Sequence, residues 1–468
     1  MNRGAAPGIV ARMEIRVLSP TGALGAGFKI DSLQRGVARR PHVIACDAGS
    51  TDSGPASLGS GAPKFSRDAV KRDLRLLLYA RQTLGVPLII GSCGTSGRDV
   101  GVDWMAGILR EIAAEESLVV RTALIKADQA PEYVMRRWAE GRILPLVPAP
   151  PITPPVIQAS HIVGMMGAEP IAAALQEGAQ VVLAGRASDS ALFAVVPELA
   201  GADRGAAWHA AKILECGAAC AVVPAADALL AYVRDGHFDI EPLDPAAACT
   251  PLSVAAHTLY ENGNPFLLTE PSGVIDTTDA TYLAVSDRRV RVCGSRFTPA
   301  TQYSVKLEGA RQAGFQTIAV GGIRDPQIIR RLGTVLPFAR AYFDDRIADL
   351  FGGHVAPDSY EIDYRIYGRD AVLGPLEPMR DVIPHEVGVL ITVTAQTQEV
   401  ATKIATLVCH ASAHLPIPGY HGIITTIAYP FSPPEIERGA AYRFTLNHVC
   451  LPDDPLEMFR TEMVEVGR

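Results

Sequence analysis

Three times between residues 41 and 190 a short apolar run breaks into a cluster of Gly, Ser, Thr and Asp: PHVIACDAGS (41–50), PLIIGSCGTSG (87–97) and VVLAGRASDS (181–190). Amphipathic stretches alternate with these runs. In RDAVKRDLRLLLYARQTL (67–84), Val70, Leu74, Leu77 and Leu78 share one helical face, and Ser66 is placed to cap it. Helices are likewise expected at 104–116, 169–179 and 206–219, with an extended run at 117–125. Apolar strands alternating with helices specify a mostly parallel sheet covered by helices on both faces, an α/β arrangement. In such sheets ligands bind beyond the carboxyl ends of the strands. The runs 41–46, 87–90 and 181–184 are therefore expected to be neighbouring parallel strands whose polar turns open on one edge.

The pattern supports an α/β domain over 13–245 and a smaller α+β domain over 246–468. The second carries strand-like runs such as YEIDYRIYG and VGVLITVTAQ, and a helix at 398–415. The proline-rich stretch 145–158 reads as a rigid crossing loop, because the alternation resumes after it. A net charge of −7 argues against a nucleic-acid surface and offers no basic patch for a membrane. No apolar run reaches the roughly 18 residues that span a bilayer. The first dozen residues lack a secretory apolar core, so the cytoplasm is the expected compartment. The eight cysteines contain no CxxC pair; Cys216 and Cys220 alone do not make a zinc site.

Each strand end offers chemistry and a plainer alternative. In DAGSTDSGP, Asp47 and Asp52 can accept protons or hold a hard cation, with Ser50, Thr51 and Ser53 as substrate-binding hydroxyls; an Asx-turn would give them only backbone work. In GSCGTSGRD, Ser92, Thr95, Ser96 and Arg98 can cradle an anion, Asp99 adds a carboxylate, and Cys93 is either a nucleophile or a buried small residue. In AGRASDS, Arg186 and Ser188 can grip a carboxylate or phosphate, while Asp189 is either a base or the partner in an internal salt bridge. WHAAKILECG sets His209 and Lys212 near one helical face, with Glu215 close by, as an acid–base cluster or a solvated face. Further polar residues occur at His161, at His257, Tyr260, Glu261 and Glu270, at Lys306 and Glu308, and at Arg324 and Asp325. There is no HExxH, no GxSxG and no GxGxxG opening a βαβ unit, which removes support for a metalloprotease, a serine hydrolase and a nicotinamide dehydrogenase.

The stretches DAGSTDSGP, GSCGTSGRDVGVDW, HIVGMMGAEP, AGRASDSALF, AWHAAKILECGA, HTLYENGNPFLLTEPSG, KLEGA and GGIRDP, in this order, resemble the acyclic terpene utilisation family. HEVGVLITVTAQTQEVA and AYPFSPPEI extend the resemblance. The ending FRTEMVEV (459–466) looks like that of a small companion protein, which suggests a fused or paired small domain. The resemblance implies catabolism of terpenoids or other branched compounds. With the residues above, it leads to the expectation of a lyase of the hydratase or isomerase kind acting on a branched carboxylate or acyl-CoA. The alternatives are a hydrolase using Cys93 or a bound divalent metal, and a non-catalytic subunit working with a companion chain. A homo-oligomer is expected.

Overall fold

Alternate residues of each central strand face opposite ways, and both directions are apolar. Val43 and Ala45 join one core with the helices Ala191–Leu199 and Arg204–Leu214, while Ile44 and Cys46 join another with Arg67–Leu84 and Asp99–Glu116. The sheet is therefore covered on both faces. This follows from the computed structural model, which describes residues 14–259, 263–422 and 425–467. Five strands lie parallel and side by side: Glu14–Ser19, Val43–Asp47, Leu88–Gly91, Val181–Ala184 and Val120–Lys126. The three strands whose turns are polar are neighbours in this order, as the sequence pattern requires.

The sheet is parallel only at its centre. On one side follow Leu229–Arg234, His237–Pro242, Val290–Cys293 and Thr281–Ala284, all antiparallel. The tight turn Asp235–Gly236, with Gly236 at φ +71°, reverses the chain here and fixes that direction. On the other side Arg460–Val466 pairs antiparallel with Val120–Lys126 along its whole length. The ending that looked like a companion protein is thus an edge strand of this same sheet.

The chain forms two compact units: the described residues up to Arg311 together with those from Phe444 onwards, and Gln312–Arg443. The boundary expected between 245 and 246 falls inside the first unit. There Leu267–Glu270, Gly273–Asp276 and Arg296–Pro299 make a small antiparallel sheet, and residues 306–310 pair antiparallel with His161–Met165. These two additions carry Glu270 and Glu308. In the second unit residues 315–323, Val387–Ala395 and Tyr360–Tyr367 form an antiparallel sheet. The helices Leu332–Leu350 and Gln398–Ala413 share its apolar core.

Local signals hold where they were specific. Ser66 caps Arg67–Leu84 by accepting the Ala69 N–H. All eight cysteines are free thiols. No described helix is long and apolar enough to cross a membrane.

Candidate functional site

Asp47, Ser92 and Arg186 each follow or end a central strand, so the parallel register brings them to one edge. The turn after Leu88–Gly91 lies hard against the turn after Val181–Ala184. Gly97, at φ +67°, allows this: a Cβ there would sit 2.2 Å from the Arg186 nitrogen. The contact is tied by hydrogen bonds from Arg186 N–H to Gly97 O at 2.9 Å, Ser92 N–H to Gly185 O at 3.0 Å and Cys93 N–H to Ala184 O at 3.0 Å. Those amides hold strand ends together and do not form the anion cradle expected of this turn. Ser92 and Thr95 adopt φ of +44° and +78°, a left-handed backbone that side-chain-bearing residues avoid.

Arg186 is the hub of the edge. Its Nε donates to Glu308 Oε2 at 2.8 Å, and its Nη1 donates to Ala187 O at 2.9 Å and to Ser92 Oγ and Asp189 Oδ1 at 3.2 Å. Glu308 Oε1 in turn accepts from Thr51 Oγ1 at 2.9 Å and Lys306 Nζ at 2.8 Å. Burial opposes ionisation of Glu308, but the charges of Arg186 and Lys306 outweigh it and hold the carboxyl down at about 2. Asp47 is in the opposite situation. Its Oδ2 accepts the Gly49 N–H at 2.8 Å, while Oδ1 is buried. Burial first, then the nearby Asp189, drives its carboxyl well above the usual range.

Beside this hub lies a cavity of about 500 Å³ lined by Asp52, Arg186, Ser188, Asp189, Lys212, Glu215 and Glu270 among others. Two of its carboxyls are buried and held by adjacent turn hydroxyls. Ser190 Oγ donates to Glu215 Oε2 at 2.8 Å, and Ser188 Oγ donates to Glu270 Oε2 at 2.5 Å. Lys212 Nζ pairs with Glu215 Oε1 at 2.5 Å. Burial raises both carboxyls; Lys212 opposes it at Glu215, while Ser188 opposes it at Glu270 and the charge of Glu215 reinforces it there. Each is pushed up to about 7. Burial works against the Lys212 charge, yet Glu215 outweighs it and the ammonium is pushed up to about 12. A cation thus stands beside two buried carboxyls, each raised to about 7.

The other expected residues divide clearly. Asp52 lines the cavity and accepts the Ser50 hydroxyl at 2.6 Å. Ser53 is exposed on the same turn. Asp189 meets Arg186, the internal salt bridge foreseen as its alternative. Cys93 is fully buried, and its thiol is raised by burial and by Asp47, so it supplies no accessible thiolate. Asp99 Oδ1 accepts the N–H groups of Ala127 and Asp128 at 2.9 and 3.0 Å, and Oδ2 meets Arg460, a strand-tying role away from the cavity. Arg98 reaches Leu58 O and Asp128, Ser96 donates to Ser57 O, and Thr95 Oγ1 accepts the Lys64 N–H. His209 is wholly buried between Ser295 Oγ and Thr258 Oγ1, at 2.6 and 3.2 Å, with its basicity lowered to about 3 by burial. One turn along the same helix, Lys212 points to the cavity instead. Tyr260 and Glu261 lie outside the described residues.

The aspartates proposed as cation ligands do not converge: among the described residues no group of three or more His, Cys, Asp or Glu is arranged around a metal position. Lys212, Glu270, Lys306 and Glu308 were visible as polar residues but had no signal linking them to the strand ends. Ser190 stood in the AGRASDS turn with nothing to separate it from Ser188. The bonds that tie the two glutamates to the strand-end turn are remote in sequence: Glu308 lies 122 residues from Arg186, and Glu270 lies 82 from Ser188.

No curated protein and no solved structure matches the chain. The profile described as acyclic terpene utilisation family protein AtuA matches residues 95–434, a span that includes the turns at Ser92–Gly97 in part and at Arg186–Ser190 in full, with Lys212, Glu215, Glu270 and Glu308. That match runs over most of the sequence, and the chain belongs to the acyclic terpene utilisation family.

Proposed function

We propose that the protein is a lyase of the hydratase or isomerase kind, acting on a terpenoid-derived or other branched carboxylate or its acyl-CoA. The observation that carries this reading is the pair Glu215 and Glu270, both near 7 and both facing one cavity beside Lys212. Moving a double bond beside a carbonyl, or eliminating water there, needs one group to take a proton from carbon and another to give one. Both work best when their pKa lies near the operating pH. Glu215 touches Lys212, whose charge sits against the carboxylate, so we assign it as the base. Glu270, with no cation in contact, is the acid. Glu215 removes a proton from the carbon beside the carbonyl. Glu270 then protonates the far carbon, or the departing hydroxyl, which leaves as water. One proton exchanged through solvent resets the pair. Arg186, with Nε and Nη1 fixed by protein partners, gives the cavity a rigid positive wall.

The family and this site support a catabolic role, which we place in the cytoplasm, in a symmetric oligomer. The test is incubation with branched enoic and hydroxy acids and their CoA thioesters, followed by NMR in deuterated water. Double-bond migration or water loss with deuterium incorporation is expected. It should fall about 10²- to 10⁴-fold in Glu215→Gln and Glu270→Gln. Free CoA release, unchanged in these variants, would replace the reading with hydrolysis.

A further inference from the structure

A second cavity, of about 430 Å³, adjoins the acid–base cavity, and Asp52 lines both. The Arg186–Glu308 ion pair stands at their junction: Arg186 lines the first cavity and Glu308 the second. We propose that this second cavity is the subsite for the unreacting hydrocarbon tail of the substrate. The proposal rests on the reading of the first cavity as the reacting centre.

The chemistry of the lining carries it. Glu308 and Asn447 already have protein partners, and Asp52 accepts the Ser50 hydroxyl. Glu308 is bonded by Thr51, Lys306 and Arg186, and Asn447 Nδ2 donates to Pro148 O at 3.1 Å. The carbon surface open to a ligand is that of Pro148, Pro150 and Phe444, with Leu446 buried in the core. Phe444 is 44 % exposed, whereas Leu446 is 1 % exposed. An aromatic ring left open beside a polar reacting centre offers area that an apolar group can bury. The two prolines fix their own backbone φ, so this wall is formed before the ligand arrives and little ordering is needed to bind. The cavity also falls within the range of small-molecule sites, about 300–1,000 Å³. A polar head at Glu215 and Glu270 with an apolar tail against Phe444 fits a substrate with a carboxyl or thioester at one end and a hydrocarbon chain at the other.

The test uses calorimetric titration of the full chain with 3-methyl carboxylic acids of increasing length. Each added methylene should tighten binding about fourfold until the cavity is filled. Phe444→Ala, at a half-exposed position that does not threaten folding, should flatten this dependence while leaving the shortest acid unaffected. Glu215→Gln should keep the dependence. An absent or chain-length-independent affinity in the native protein, or an undiminished slope in Phe444→Ala, overturns the tail subsite. Turnover that survives Glu215→Gln instead removes the acid–base reading and leaves the slope standing, so the two failures are distinct.

Discussion

Arg186 and Glu308 form a buried ion pair, Nε to Oε2 at 2.8 Å, that locks the end of the central strand Val181–Ala184 to a strand 122 residues further along the chain. Both side chains are about 95 % removed from solvent. Breaking such a pair from one side leaves an uncompensated charge in the interior. Glu308→Leu is expected to lower unfolding free energy by about 3–5 kcal/mol, read by urea denaturation. Adding Arg186→Met should restore only part of this, because Asp189 then loses its cation. A loss below about 1 kcal/mol in Glu308→Leu would show that the pair does not hold these strands.

Gly97 gives a prediction of a different kind. A methyl group at this position meets the Arg186 backbone at 2.2 Å, and the φ of +67° is unfavourable for any other residue. Backbone cannot move aside as a flexible side chain can. Gly97→Ala is expected to cost more than about 2 kcal/mol and to lower turnover with it, since the displaced Arg186 walls the cavity. Gly107, whose added Cβ would meet nothing within 4 Å, is the control: Gly107→Ala should be neutral or stabilising in the same assay.

The strand–turn–helix alternation was legible because it is local. A run such as VIACD, apolar throughout, reports a strand buried on both faces, and Gly/Ser/Asp after it reports the edge where chains turn. That was enough to place Asp47, Ser92 and Arg186 together. The antiparallel flanks were less legible. Thr281–Ala284 joins the sheet through pairing with Val290–Cys293, and only the final register tells a continued sheet from a new domain. The acid pair was half visible. Glu215 stands near Lys212 on the sequence, whereas Glu270 reaches the cavity from a separate small sheet. Nothing in TEPSG distinguishes that glutamate from a solvated one. A carboxylate beside a helix start serves equally to bind a ligand or, as at Asp99, to hold two backbone amides.

Cys93 provides a sharp check on the site. It is fully buried, and burial together with Asp47 keeps its thiol protonated. A thiol-specific reagent should leave it unmodified in the folded protein and label it after denaturation, as followed by peptide mass spectrometry. Cys93→Ala removes one sulfur from a packed core, so a modest stability loss of about 1–2 kcal/mol is expected with turnover per folded molecule retained. Complete loss of turnover in a stably folded Cys93→Ala protein would reinstate the thiol as a nucleophile.

The acid pair also makes stability depend on pH, with a sign that can be stated beforehand. Glu215 and Glu270 ordinarily titrate at 4.5 and are raised to about 7 in the folded chain. Between these values the folded state keeps protons that the unfolded chain has released. Their contribution to stability is therefore fully present below 4.5 and is lost as pH rises through about 7. Two histidines act in the opposite sense in an overlapping range. His209 and His257 are lowered from 6.5 to about 3 and about 4, so the unfolded chain binds their protons first and stability falls on acidification. The native protein alone would show only the sum. The difference between it and Glu270→Gln isolates one carboxyl, because glutamine keeps the shape and stays neutral. Relative to the native protein, Glu270→Gln should gain stability as pH rises from about 5 to about 8, by at most about 1.4 kcal/mol per pH unit and levelling above neutrality. Glu215→Gln should show a similar pH-dependent gain on a lower baseline, because the glutamine forfeits the ion pair with Lys212. Urea unfolding across this pH range measures both. A stability difference that stays constant with pH would place the Glu270 carboxyl at its ordinary value, and with it remove the proton donor from the proposed reaction.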